Sequence, residues 1–188
     1  MRRMIPNSNE LKAKLMTVVG TLLVLAASAK AQETTRQIIV SIPDRKLALI
    51  EDGEVKKIYP VAVGKMTTPS PDGEFEIINR LENPTYYHKG TVIGPGPSNP
   101  IGNRWIGLSQ KGYGIHGTNE PRSIGKAASH GCIRMAKKDL EELFTMVRVG
   151  DTVQIRAEKD DELVAIFGGA PQQTVVAQAQ TQSVGGGQ

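Results

Sequence analysis

The stretch KLALIEDGEVKKIYPVAV, Lys46–Val63, decides the fold class. Apolar residues alternate around Leu47 and Leu49 in Lys46–Glu51, a second extended run covers Glu54–Val63, and Asp52-Gly53 lies between them. A period of two marks a strand with one face on a core, and Asp-Gly is the strongest short signal for a tight hairpin turn. The pair therefore predicts a β-hairpin. Further out, Gln37–Ile42 is β-branched and apolar, and Glu74–Arg80, Arg104–Leu108, Gly112–His116 and Thr152–Arg156 carry strand patterns of their own. Asn83–Asn103, rich in Pro and Gly, reads as one long functional loop. One helix stands out: Lys137–Val147 sets Leu140, Leu143, Phe144 and Val147 at helical spacing, with acids early and Arg148 at its end. The expected fold is a mainly-β sandwich or barrel with one clear helix at about 137–147.

The two ends read differently. Residues 1–31 combine a basic front, an uncharged apolar run from Leu15 to Ala27, and small residues in A-x-A spacing at Ala29-Lys30-Ala31. That is the pattern of a secretory signal peptide, either cleaved before Gln32 or kept as an anchor. Asp160–Phe167 reads as a short helix making a minor contact, so the domain is expected to cover 36–156 and end near Arg156. The tail spans 157–188; its Gln, Ala, Val and Gly-rich part after 170 is too poor in apolar bulk to order itself.

Charge excludes one class of function. The chain carries 23 Lys and Arg against 19 Asp and Glu, a formal net charge of +4. Five of those basic residues and one acid fall in residues 1–31, which leaves 18 of each in the remainder. A neutral domain offers no electrostatic footprint for nucleic acid.

The chemistry is concentrated at a lone thiol. Cys132 is the single cysteine, and two of the three histidines bracket it, His130 two positions before and His116 sixteen positions before. An exported chain usually carries cysteines in pairs, so an unpaired one calls for a reason. Three readings of these residues stand side by side. Cys132 is a small buried apolar residue and the histidines are ordinary polar loop residues. Alternatively, His116, His130 and Cys132 are ligands of a zinc site, although His88 supplies no fourth ligand at a sensible spacing. Or Cys132 is a nucleophile activated by a histidine or by oriented backbone N–H groups. In that case His116 ends an apolar strand that aims its ring, and Gly131 lets the backbone come close to a substrate carbonyl, with an oxyanion hole formed by N–H groups near Cys132.

The run Ile115–Met135, IHGTNEPRSIGKAASHGCIRM, resembles the signature of the L,D-transpeptidase catalytic domain, the YkuD-like family. The pattern is a histidine, a spacer of about a dozen residues, Ser/Thr-His-Gly-Cys, a hydrophobic residue, and Asn or Arg, here Arg134. The likeness extends upstream through Gly64, Thr68-Pro69, Gly73-Glu74-Phe75 and Arg104-Trp105-Ile106-Gly107-Leu108. It implies a β-sandwich-like catalytic domain, a periplasmic or wall-facing location, and no metal or organic cofactor. Residue by residue, it implies Cys132 as nucleophile, His116 as general base, the Gly117 carbonyl as orienter of that base, and His130 as support of the oxyanion region. Arg134 either holds the loop, as in a structural salt bridge, or meets a substrate carboxylate. Ser129 and Gly131 shape the loop beside the substrate, and Trp105 is read as core packing.

The implied substrate is the peptidoglycan stem peptide, bound by a monomer. A thioester forms at the third, diamino acid residue with release of D-Ala. Transfer then goes to another stem, to a wall-attached lipoprotein, or to water, the last making an L,D-carboxypeptidase. A module that binds zinc or peptidoglycan without turnover is the reading from a different class.

Overall fold

The Asp52-Gly53 turn joins the two strands the sequence placed around it, with φ of 53° and 79° at its two central residues. Both values lie in the left-handed region that a two-residue hairpin uses. The computed structural model describes residues 34–168. The expected signal segment 1–31 and the tail after 170 lie outside them.

In chain order the strands are β1 (Arg36–Ser41), β2 (Lys46–Glu51), β3 (Glu54–Gly64), β4 (Gly73–Glu82), β5 (Tyr86–His88), β6 (Thr91–Ile93), β7 (Arg104–Leu108), β8 (Gly114–His116), β9 (Ala127–Ser129) and β10 (Ile133–Met135). Helix α1 (Lys137–Met146), strand β11 (Thr152–Arg156) and helix α2 (Asp161–Phe167) follow. Nine strands form one sheet in the order β10-β8-β7-β4-β11-β1-β2-β3-β9. Because β10 also pairs with β3, the sheet closes on itself and the fold is a mainly-β, barrel-like closed sheet. The seam lies at β10. It pairs parallel with β8 on one side and antiparallel with β3 on the other.

Inward residues fill the barrel. Ile38, Val40, Leu47, Leu49, Ile77, Ile106, Ile115, Ile133 and Ile155 belong to one buried cluster, and Leu140, Leu143 and Phe144 of α1 close it. Burial of each such side chain contributes about 1.5–3 kcal/mol. The helix ends at Met146, so Arg148 lies just beyond it, where its N–H donates to Asp151 Oδ2 at 2.7 Å.

Strands β1 and β2 are covered on both faces. Ile39, Ala48 and Ile50 point away from the barrel interior and pack with Leu163 and Phe167 of α2. Leu163 is fully buried and Phe167 nearly so. Asp160 caps this helix by accepting the Leu163 N–H at 2.9 Å, and Lys46 Nζ donates to the Phe167 carbonyl at 3.2 Å. The packed unit therefore runs to Phe167, past the boundary expected at Arg156, and α2 is more than a minor contact.

Within Asn83–Asn103 the structure holds a hairpin that composition hid. β5 and β6 pair antiparallel around Lys89-Gly90, with φ of 46° and 79°. Fully buried Asn99 ties this loop together, its Nδ2 donating to the Pro84 and Gly94 carbonyls at 2.8 and 3.1 Å.

Candidate active site

The seam of the barrel assembles the candidate residues. On β8 and β10, Ile115 pairs with Ile133 and His116 with Arg134. Both isoleucines face the core, so His116 and Arg134 share the outer face. Continuing the same alternation, Cys132 and Gly114 fall on that face too. The thiol thus lies beside a residue with no side chain, two positions along from the imidazole.

A short loop between two anchored strands presents Cys132. β9 pairs with β3 at Val63–Gly64, and β10 pairs with β3 at Val61–Ala62, so Ser129-His130-Gly131-Cys132 spans a gap fixed at both ends. Buried Ser129 ties that loop internally: its Oγ donates to the Cys132 carbonyl at 2.6 Å and accepts the Gly131 N–H at 3.0 Å. Its own carbonyl accepts from the Lys65 N–H at 3.1 Å and from Thr68 Oγ1 at 3.3 Å. Gly131 has φ of 115°, and a Cβ there would come within 2.6 Å of Tyr113 Cε1 and 3.1 Å of the Pro69 carbonyl oxygen. Only glycine meets both the backbone angle and the close approach. Ser129, Thr68 and Pro69 thus shape the loop.

His116 is buried, 5% exposed, and its Nδ1 lies 2.6 Å from the Gly117 carbonyl oxygen. A carbonyl oxygen only accepts, so the Nδ1 position carries the hydrogen and Nε2 keeps the lone pair of the neutral ring. The Gly117 backbone is itself held by a crossing chain. A Cβ on Gly102 would sit 2.8 Å from the Gly117 Cα, and the Gly117 N–H points to the Arg104 carbonyl at 3.4 Å. Trp105 is the register partner of His116 on β7, and the two rings stack at 17° with centroids 5.6 Å apart. Trp105 therefore belongs to the outer face with His116, not to the core where its neighbour Ile106 points.

Burial sets the charge states. It pulls the His116 pKa down to about 4, against a smaller opposing effect of the Gly117 hydrogen bond. It also pushes the Cys132 thiol up, partly offset by a backbone hydrogen bond from Gly114 and by the Arg134 charge. At neutral pH the two groups accordingly rest as a thiol and a neutral imidazole, rather than as a thiolate and an imidazolium. The thiol is half-buried and lies 3.6 Å from the Gly112 carbonyl oxygen.

His130 is placed apart: it is exposed, two residues from the thiol. Among the described residues no three His, Cys, Asp or Glu side chains converge where a metal ion would be held, so His116, His130 and Cys132 do not form the ligand set of the zinc reading. Arg134 makes an ion pair with Glu120 at 2.8 Å, an arrangement that sequence reading did not anticipate for Glu120.

A family model for the L,D-transpeptidase catalytic domain (YkuD) matches residues 35–155. The chain belongs to the L,D-transpeptidase catalytic-domain family. Two Bacillus subtilis proteins named as L,D-transpeptidases are among its relatives. YqjB is 45% identical over 123 residues, covering 63% of this chain and 69% of the relative. YkuD is 48% identical over 118 residues, covering 63% of this chain and 64% of the relative. The solved L,D-transpeptidase from Mycobacterium smegmatis superposes with a TM-score of 0.57 at 25% identity, over 66% of this chain and 59% of that one. This chain thus spans about two thirds of such L,D-transpeptidases, and its helix α2 follows the part the family model matches.

Proposed function

We propose that the protein transfers acyl groups between peptidoglycan stem peptides through a thioester on Cys132, outside the cytoplasm. The observation that carries this reading is the seam geometry: the only thiol lies one residue before β10, and a histidine in the Nε2-basic tautomer ends β8, the strand in register with it.

In the first half-reaction Cys132 Sγ attacks the carbonyl carbon of the third, diamino acid residue while its proton passes to His116 Nε2. The resulting oxyanion needs a donor. Since the Gly131 N–H is engaged by Ser129, the Cys132 N–H is the loop donor assigned to it. Collapse breaks the C–N bond; D-Ala departs with the proton from Nε2, and the thioester remains. Gly117, whose carbonyl holds the Nδ1 hydrogen, fills the orienting place of a carboxylate in other triads. An amine then attacks the thioester, giving its proton to His116 Nε2; the C–S bond breaks and that proton returns to Cys132 Sγ, restoring the thiol and the neutral ring. A stem side chain yields a cross-link, a lipoprotein lysine yields a tethered protein, and water yields the L,D-carboxypeptidase outcome. Basic and apolar signals in residues 1–31 support export to the periplasm or the wall-facing side.

Product analysis tests the reading. Incubated with tetrapeptide muropeptides, the protein should release D-Ala and form dimers linked between two third residues. Tripeptide products without dimers would instead favour hydrolysis, and unaltered tetrapeptides would contradict the proposal.

A further inference from the structure

The outer face of β4, β7 and β8 carries a row of residues that leads to the thiol. Asn79 pairs with Gly107, and Gly107 pairs with Gly114, whose backbone hydrogen-bonds Cys132. A bulge puts Asn79 in that row. From Ile77 to Asn79 β4 takes two steps against the single step from Leu108 to Gly107 on β7, and the extra residue, Ile78, is half-exposed. Bulges beside a site commonly re-aim a side chain. The indole of Trp105 lies along the two glycines. A Cβ on Gly114 would meet its Cζ2 at 2.6 Å, and a Cβ on Gly107 would meet its Nε1 at 2.8 Å and Asn79 Oδ1 at 2.4 Å. The indole N–H and the Asn79 carbonyl oxygen thus converge on the one point that a glycine leaves open. Both lack a partner: Asn79 Oδ1 is buried without a hydrogen bond, and none of the described residues accepts from Trp105 Nε1. An unmatched buried acceptor is costly, and an indole nitrogen only donates.

We infer that Asn79 is a positioning residue for His116, acting through Trp105 by accepting its indole N–H. This rests on the acyl-transfer reading above and adds to it the group that stands behind the ring stacked on the base. A small turn of the Asn79 amide closes the bond. On the far side of the indole, its ring meets the His116 ring at 17° with 5.6 Å between centroids. An indole that donates a hydrogen bond gains electron density in its ring, so its π-face becomes a better neighbour for an imidazolium. The same bond holds the indole over Gly107 and Gly114, and with it the imidazole laid against it. No hydrogen bond joins Asn79 to Cys132 or His116, so its influence on the reaction passes through the indole.

Trp105 is the only tryptophan, so the full chain carrying nitrogen-labelled tryptophan gives a single indole N–H cross-peak in a magnetic resonance spectrum. In the wild type that proton should resonate downfield of free indole and exchange slowly with deuterium. A free-indole position and exchange rate overturns the contact, with no variant needed. Asn79→Leu keeps the shape and loses the acceptor. It should move the peak upfield and lower kcat for D-Ala release by about two- to fivefold, with little change in KM. Asn79→Asp keeps an acceptor oxygen and should restore the peak and most of the rate. In a Trp105→Phe background, where no N–H remains, Asn79→Leu should cost nothing further. The positioning role is overturned by a kcat that survives Asn79→Leu, by an equal fall in Asn79→Asp, or by an undiminished fall in the Trp105→Phe background. The cross-peak stands apart from turnover. A wild type that holds the contact but releases no D-Ala sinks the acyl-transfer reading, and the positioning role with it, while the Asn79–Trp105 bond stays in place.

Discussion

Trp105 and His116 face each other across β7 and β8 with their rings stacked at 17° and 5.6 Å between centroids. The indole lies in a slot of two glycines. A Cβ on Gly114 would come within 2.6 Å of Trp105 Cζ2, and one on Gly107 within 2.8 Å of Nε1. The stack holds the imidazole plane with Nδ1 at the Gly117 carbonyl, and under the proposed mechanism the indole π-face would favour an imidazolium on His116.

Replacing that ring should slow the chemistry. Trp105→Leu is expected to lower kcat by about three- to thirtyfold, the equivalent of about 0.5–2 kcal/mol of cation–π stabilisation, with a smaller change in KM. Trp105→Phe should recover part of the loss because a π-face remains. Steady-state kinetics of the two variants, alongside their thermal midpoints, check this; equal losses in both would leave the stack a packing contact.

The two histidines near the thiol should separate cleanly. His116→Ala removes the buried ring proposed as the general base and should cut acylation by about 10²–10⁴-fold. His130 is exposed, and His130→Ala should cost far less. Single-turnover acylation rates measure both, and a larger loss at His130 would reverse the assignment.

The buried His116 also makes stability depend on pH. Its imidazole titrates near 6.5 when unfolded and at about 4 in the fold. Between those values the unfolded chain binds more protons than the folded one, so stability is lost as pH falls from 6.5 towards 4, by on the order of 3 kcal/mol. Denaturant unfolding of the wild type and His116→Ala from pH 7 to 4.5 should show the steeper decline in the wild type. Parallel curves would mean that the ring is not held neutral.

Much of this was legible in the sequence, for reasons that differ by residue. Alternation around Leu47 and Leu49 with Asp52-Gly53 announced the β2–β3 hairpin because turn and period agreed. The uninterrupted apolar run Ile38-Ile39-Val40 held a second message, burial on both faces, whose partner α2 lies far away in the chain. The Ser129–Arg134 motif marked the thiol loop and its glycine. What it could not convey is the seam: β10 is three residues long, and its pairing with β3 and β8 is a non-local fact with no local signature. Glu120 and Trp105 were hidden for the same reason, since an ion pair fourteen positions apart and a cross-strand stack appear only once the register is set.

The closing helix gives a stability prediction. A chain ending at Glu158 loses Leu163 and Phe167 from the outer face of β1 and β2, and leaves Ile39, Ala48 and Ile50 uncovered. Each lost aromatic or aliphatic side chain is worth about 1.5–3 kcal/mol, as an upper bound on folded-state burial. Relative to a chain ending at Gly169, the shorter one should unfold several degrees lower in thermal scans; identical midpoints would show that α2 adds nothing to the barrel.

The central claim is a thioester on Cys132, and intact-mass spectrometry of the protein mixed with tetrapeptide stem and quenched in acid tests it most directly. The account predicts a single adduct equal to the donor less D-Ala, mapped to the peptide carrying Cys132 and absent from a folded Cys132→Ala protein. Undiminished D-Ala release by Cys132→Ala, or turnover by the wild type without any adduct on that peptide, would contradict it.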